Sequence, residues 1–379
     1  MKITEIRAAG LRGQTPAGGW TKELVAEDIV HTLLTVHTDE GLIGVGSVFT
    51  SEALVLASLQ LLNDLVIGEE ALEPSRVTEK LHQNTFWQGR GGSVTHTISG
   101  IDIALWDIFG QATGQPLSRL LGGSHRKKVR PYASVLMSEP ATLNPKLLSL
   151  MEEGFTAFKM GWGPFGRVSK ELDRTIVSEA RNTVGADSLL AVDAGGSDAY
   201  WHSDPKWALA TAQMLNEFDV AWFEEPLSPD DHRGFAELTR LSPVPISGGE
   251  VLTRRQSFQP YLANRLVNII QPDVTKVGGI SEYMRVARMA EDSFIKVIPH
   301  GWNTAVGLAT DLHLASAVAG TDLVEYCTGS AYIDEIVATP WKLDAEGMLE
   351  IPTAPGLGIE FDREAILKFT NGADLFIAR

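Results

Sequence analysis

The chain has 379 residues, 44% of them hydrophobic and 21% charged, with a formal net charge of −16. It is too long for one small core, and its acidic balance excludes nucleic acid or an anionic membrane as a partner, because phosphate binding needs a basic footprint. A single cysteine, Cys327, excludes an intrachain disulfide and a cysteine-based zinc site.

The opening "MKITEIRAAG" lacks the apolar run of a signal peptide, and no 18-residue apolar segment follows. A soluble, cytoplasmic protein is expected. Residues 1–125 read as an α+β unit. "KITEIRAAGL" and "HTLLTVHTDEGLIGVGSVF" alternate apolar and polar residues around a turn at Asp39-Glu40-Gly41, which predicts an antiparallel meander. "SEALVLASLQLLNDLVIG" follows with helical spacing, Ser51 as N-cap and Gly68 as stop. A second helix is expected over "GGSVTHTISGIDIALWDIFGQATG", after "FWQGR".

Across 126–335 the texture changes. Short apolar runs recur, each followed by a helical segment: "RPYASVL", "GFTAFKMG", "SLLAVDAG", "DVAWFEEP", "VPISGGE", "VNIIQPD", "IKVIPHG" and "TDLVEYC". Continuous apolar strands separated by helices predict a parallel sheet covered on both faces, and eight of them predict an α/β barrel of the TIM type. An open doubly wound sheet is the alternative, but no G-x-G-x-x-G turn follows the first strand. The turn-rich end, 336–379, is expected to pack back on the N-terminal domain.

The strand ends carry the chemistry. Asp193, Glu224 or Glu225, Glu250, Asp273, His300 and Glu325 follow one another from the third strand to the eighth. From Asp193, with Glu224 as the fourth-strand acid, the intervals are 31, 26, 23, 27 and 25 residues by subtraction, one strand-plus-helix unit each. In a barrel such ends surround one mouth. Three carboxylates gathered there repel unless a cation neutralises them, and oxygen ligands suit a hard divalent ion, most simply Mg²⁺. Strand alternation admits only one of Glu224 and Glu225 to the mouth and does not say which. Asp273 and His300 lie on adjacent predicted strands, where a carboxylate fixes the tautomer of an imidazole and raises its basicity.

The ordered motifs "AVDA", "WFEEP", "GGE", "QPD" and "PHG" closely resemble the enolase superfamily in its mandelate racemase subgroup, as do "SGIDIALWDIFGQATGQPLSRLLGG" and "PGLGIEFD". The resemblance covers nearly the whole chain. It implies a modified (β/α)7β barrel under an α+β capping domain, with Mg²⁺ held by Asp193, Glu224 and Glu250. It makes Asp273–His300 the general-base dyad and Glu325 a hydrogen-bond donor or electrophile. It also implies removal of the proton α to a carboxylate, and assembly into homo-oligomers from dimer to octamer.

Many members of the subgroup carry Lys-x-Lys at the end of the second strand, with the second lysine acting as a base. Here the residues are Lys159-Met160-Gly161. One face of a carbanion then has His300 and the other has no obvious base, which favours β-elimination over racemisation. The expected activity is that of a lyase, an acid-sugar dehydratase acting on a small-molecule sugar acid, with Lys159 paired to the substrate carboxylate. The alternatives are an aldarolactone cycloisomerase, a sugar-acid epimerase, or a non-catalytic sugar-acid-binding protein. Gly195 replaces an asparagine that family members often have two residues after the first metal ligand. Thr15–Trp20 and Val48–Glu52 correspond to the two mobile cap loops of the family. Trp20, Trp87, Arg90 and Trp302 are the candidate substrate contacts, with Arg90 suited to clamp a distal carboxylate or hydroxyl. The other histidines are expected to be structural or on the surface. Lys276, past the Asp273 strand end, is given no role.

Overall fold

The computed structural model describes residues 1–12, 30–195 and 204–377. Trp20 and the Thr15–Trp20 stretch lie outside the described residues. The capping domain opens with β1 (Ile3–Gly10), β2 (His31–Thr38) and β3 (Ile43–Phe49), an antiparallel sheet in that order. Helices α1 (Glu52–Val66), α2 (Pro74–Asn84) and α3 (Gly92–Thr113) follow. Val55, Leu59 and Leu62 of α1 share one core with Leu34, Val36 and Val48 of the sheet and with Ile98 and Ile101 of α3. The α3 helix lies close against β3 because Gly44 and Gly46 have no side chain there. A Cβ would fall 2.0 Å from the Ala104 carbonyl oxygen at the first and 1.9 Å from the Gly100 oxygen at the second. The Val48–Glu52 stretch, expected as a loop, is the end of β3, a two-residue link and the start of α1.

A short helix, α4 (Leu117–Leu120), leads into the barrel. Its strands and helices alternate as β4 (Lys128–Leu136), α5 (Pro140–Glu152), β5 (Ala157–Gly161), α6 (Lys170–Val184), β6 (Leu189–Asp193), α7 (Pro205–Asn216), β7 (Phe223–Glu224), α8 (His232–Leu241), β8 (Ile246–Gly248), α9 (Arg254–Ala263), β9 (Ile269–Ile270), α10 (Gly279–Asp292), β10 (Lys296–Val297), α11 (Ala305–Ala317) and β11 (Leu323–Cys327). The eight strands pair in parallel in the order β10-β9-β8-β7-β6-β5-β4-β11. Between β10 and β11, Thr321 Oγ1 donates to the Val297 carbonyl at 3.0 Å and the Gly301 N–H donates to Glu325 Oε2 at 2.8 Å. This is the (β/α)7β barrel with an α+β cap that the family resemblance implies.

Inside the barrel, Tyr132, Ala157, Ala191, Trp222, Ile298 and Leu323 form an apolar layer. Each comes from a different strand or strand end. Two residues further along, the same strands carry Ser134, Lys159, Asp193, Glu224, His300 and Glu325. Side chains alternate faces along a strand, so these groups also point inward, one layer higher. The apolar layer is the floor on which the polar layer stands.

After β11 come α12 (Ala331–Asp334), β12 (Leu349–Glu350) and α13 (Arg363–Phe369). The tail touches the cap, with the Arg12 N–H donating to the Phe369 carbonyl at 2.7 Å and Thr35 Oγ1 to that of Leu375 at 2.8 Å. It also grips the barrel, because β12 pairs antiparallel with the start of β4. Among the described residues, no helix is long and apolar enough to cross a membrane.

Candidate active site

Asp193, Glu224 and Glu250 each place a carboxylate oxygen within 4.8 Å of the others. Two of the three carboxylates are also oriented by hydrogen bonds from this chain. Asp193 Oδ1 accepts the Gly195 N–H at 2.7 Å. Glu224 Oε2 accepts the Trp222 indole at 2.9 Å and the Gln271 amide at 2.7 Å. Glu225 takes a left-handed backbone at φ 42° and accepts the Gly249 N–H at 3.4 Å, outside that cluster. Burial, and then the charge of Glu224, push the Asp193 carboxyl well above the usual carboxylate range. A buried set of like charges with oxygen donors fits a hard divalent cation, which relieves the repulsion that raises the pKa.

Lys159 Nζ lies 2.6 Å from Glu224 Oε1, 3.1 Å from Glu325 Oε1 and 3.7 Å from Asp193 Oδ2. Burial opposes its charge, but Glu224 and Glu325 outweigh it and hold the ammonium well above its ordinary range. Glu325 Oε2 accepts from the Gly301 N–H and, at 3.2 Å, from the Tyr132 hydroxyl.

His300 and Asp273 form an isolated parallel bridge that extends the pairing of β9 and β10. His300 Nδ1 lies 2.7 Å from Asp273 Oδ2, and Nε2 lies 3.1 Å from Glu250 Oε2. Burial lowers the imidazole's pKa. The Glu250 carboxylate first, then Glu325 and Asp273, raise it to about 10.

These groups open into a cavity of about 400 Å³, counting space open to solvent, whose wall includes Phe49, Gly161, Trp162, Lys276 and Trp302. A Cβ at Gly161 would lie 3.0 Å from Asp193 Cβ and 3.1 Å from its Oδ2, so the empty position is packed against the first metal-ligand candidate. Trp162 takes φ 64° and stacks on Trp302 with ring centroids 6.1 Å apart and planes at 14°. A Cβ at Gly195 would meet Trp162 Nε1 at 2.4 Å. The indole therefore fills the space that an asparagine at 195 needs.

Two expectations are corrected. Trp87 is 91% exposed, and Arg90 is also exposed and lies over the Phe86 ring. Neither lines the cavity: Trp87 sits in the 3-10 turn Phe86–Gln88 and Arg90 follows it, before α3 begins. Lys276, left without a role, is brought in. Its Nζ lies 3.5 Å from Asp273 Oδ2, 3.8 Å from Glu250 Oε1 and 4.1 Å from the Phe49 ring centroid. The signal is local. Asp273 Oδ1 accepts the Thr275 N–H at 2.7 Å, and the Lys276 N–H donates to the Asp273 carbonyl, so the chain makes one turn that returns residue i+3 to the same side. Trp162 was also missed, since only its left-handed backbone turns it inward. His96 and His313 bond backbone groups. A larger surface cleft lined by Lys146, Phe155, Tyr326 and Trp341 shares none of the site groups.

Comparison with known proteins matches residues 145–365 to the family "Enolase C-terminal domain-like" and residues 25–122 to "Mandelate racemase / muconate lactonizing enzyme, N-terminal domain". The chain is 29% identical to the D-galactarolactone cycloisomerase of Agrobacterium fabrum, over 97% of this chain and 99% of that one. It is 30% identical to the D-galactonate dehydratase of Pectobacterium atrosepticum, over 90% of this chain and 91% of that one. A solved structure, the 3,6-anhydro-D-galactonate cycloisomerase from Zobellia galactanivorans, superposes with a TM-score of 0.86 at 27% identity, over 97% of this chain and 99% of that one.

Proposed function

The chain belongs to the enolase superfamily, in its mandelate racemase subgroup, and from that premise we propose that it is an acid-sugar dehydratase dependent on a divalent cation, most simply Mg²⁺. It converts an aldonate or aldarate to a 2-keto-3-deoxy acid. The observation that carries this reading is asymmetry. One imidazole–carboxylate pair, His300–Asp273, faces the cavity, while the position next to Asp193 that would hold a second lysine is Gly161.

Asp193, Glu224 and Glu250 would hold the cation, which supplies positive charge to the substrate carboxylate as its α-proton leaves. Asp273 keeps His300 Nδ1 engaged, and a cation on Glu250 would offset the carboxylate charge that raises the imidazole, leaving a neutral ring whose Nε2 takes that proton. The C–H electron pair becomes a C=C bond as the β C–O bond breaks. The departing hydroxide recovers the proton from the imidazolium and leaves as water. The enol then tautomerises to the 2-keto acid. Lys159 stands among the carboxylates, where its charge offsets theirs and orients the substrate carboxylate.

The test is to incubate the protein with Mg²⁺ and a stereochemically complete set of acid sugars, and to trap 2-keto acids with semicarbazide. Absence of product from the whole set sinks the dehydratase reading. A second reading, an aldarolactone cycloisomerase, is favoured by the near full-length similarity to the D-galactarolactone cycloisomerase. It also needs only one base. NMR of a lactone in D₂O separates the two, since ring opening by β-elimination releases no water.

A further inference from the structure

Lys276 is the cavity cation that the preceding reading leaves unused. Its side chain is buried, with the residue only 4% exposed. Two carboxylates lie near it, at 3.5 and 3.8 Å. Those distances compensate charge but are long for an ammonium–carboxylate hydrogen bond, which runs at about 2.7–2.9 Å. The Phe49 ring covers one side of the ammonium at 4.1 Å. Among the described residues no hydrogen bond is donated by Lys276 Nζ, whereas Lys159 donates to Glu224 at 2.6 Å. An ammonium has three donors, and a desolvated one left without acceptors is costly. The cavity is where these donors are satisfied by a ligand.

The placement says which ligand atom. Lys276 Nζ and His300 share Asp273 Oδ2, at 3.5 and 2.7 Å. They also face the two oxygens of Glu250, with Lys276 Nζ at Oε1 and His300 Nε2 at Oε2. The ammonium and the base nitrogen therefore stand side by side on one wall. A substrate that presents its α-proton to Nε2 presents the β-substituent on the same face to Lys276.

We propose that Lys276 is a further catalytic residue, whose ammonium hydrogen-bonds the oxygen departing from the β-carbon and stabilises the negative charge that develops there. The C–O electron pair moves onto that oxygen while Lys276 donates a hydrogen bond and keeps its proton. His300 returns the abstracted proton, and elimination is syn. This inference rests on the elimination reading and deepens it.

The experiment compares wild type, K276M and K276R at saturating Mg²⁺ in D₂O. It follows both 2-keto acid formation and deuterium exchange at the α-carbon. Removing one donor to a developing oxyanion typically costs about 100-fold or more. K276M is therefore expected to lose about 100-fold in kcat for elimination with little change in KM, while α-exchange by His300 persists. K276R, which keeps the charge, is expected to recover part of the loss. If exchange and elimination fall together, or if elimination is unchanged, Lys276 is only a counter-ion for Asp273 and Glu250 and the proposal is overturned. A wild type that turns over no acid sugar instead counts against the dehydratase reading. In that event binding of meso-tartrate with Mg²⁺, followed by calorimetry, tests Lys276 alone. Wild type is expected to bind at least about tenfold more tightly than K276M, the order lost with one charged hydrogen bond. Equal affinities, or no binding by either protein, overturn the proposal.

Discussion

At His300 the two ring nitrogens have different neighbours: Asp273 Oδ2 at 2.7 Å from Nδ1 and Glu250 Oε2 at 3.1 Å from Nε2. His300→Asn keeps a polar group of similar reach but removes the base. Turnover and α-proton exchange are expected to fall together by about 10²–10⁴-fold, with the far-ultraviolet circular dichroism unchanged. Gly195 and Trp162 form a second coupled pair, since a side chain at 195 meets the indole nitrogen. Gly195→Asn is expected to lower the melting temperature by overpacking, a cost of about 1–3 kcal/mol. Adding Trp162→Ala should make the pair less destabilised than the sum of the two single changes. The carboxylates and His300 were legible because they recur at strand ends about one strand-plus-helix unit apart, whereas alternation left Glu224 and Glu225 undecided. Lys276 and Trp162 were hidden because each enters the cavity through a turn, an Asx turn in one case and a left-handed residue in the other.

The α3 helix was read from its apolar period, but its acids act on neighbouring elements. Asp102 Oδ2 accepts the Ser281 N–H at 2.9 Å and its Oδ1 accepts the Ser281 hydroxyl at 2.7 Å. It thereby caps the first turn of α10, whose own N-cap residue is the side-chainless Gly278. The capping domain thus supplies the cap of a barrel helix. Asp107 does similar work, accepting the N–H groups of Val45 and Leu357 at 3.1 and 2.9 Å and so joining β3 to the tail. Single-sequence reading finds a helix of this kind but not the element whose end it caps, since that contact spans 179 residues. Burial raises the Asp102 carboxyl to about 6 from its ordinary 3.8. The folded state therefore binds more protons than the unfolded state between these values, and stability falls as pH rises from about 4 through 6. Asp102→Asn is expected to remove that part of the slope in urea titrations run across the window. Asp102→Ala should cost about 1–3 kcal/mol at neutral pH by taking the acceptor from the Ser281 N–H and the Thr78 hydroxyl.

Cap, barrel and tail are bound in a closed circuit. The tail pairs with β4 through β12, then crosses to the cap, where His37 Nε2 and Thr35 Oγ1 lie 3.0 and 2.8 Å from the Leu375 carbonyl. Ile366, Phe369 and Leu375 are buried along the way. Truncation after Asp362 removes all three and is expected to cost roughly 5 kcal/mol, seen as a lower urea midpoint. The barrel was legible because its strand-plus-helix units repeat. The grip of the tail on β4 was not, since a two-residue strand carries no period of its own. One consequence at this scale concerns descent. Asp193 sits between Gly161 and Gly195, and a Cβ at either would lie about 3.0 Å from it. A lysine installed at 161 therefore needs Asp193 to give by a few tenths of an ångström before both fit. A return to two-base chemistry then asks for a shift of the first cation-ligand candidate as well as a new side chain at 161.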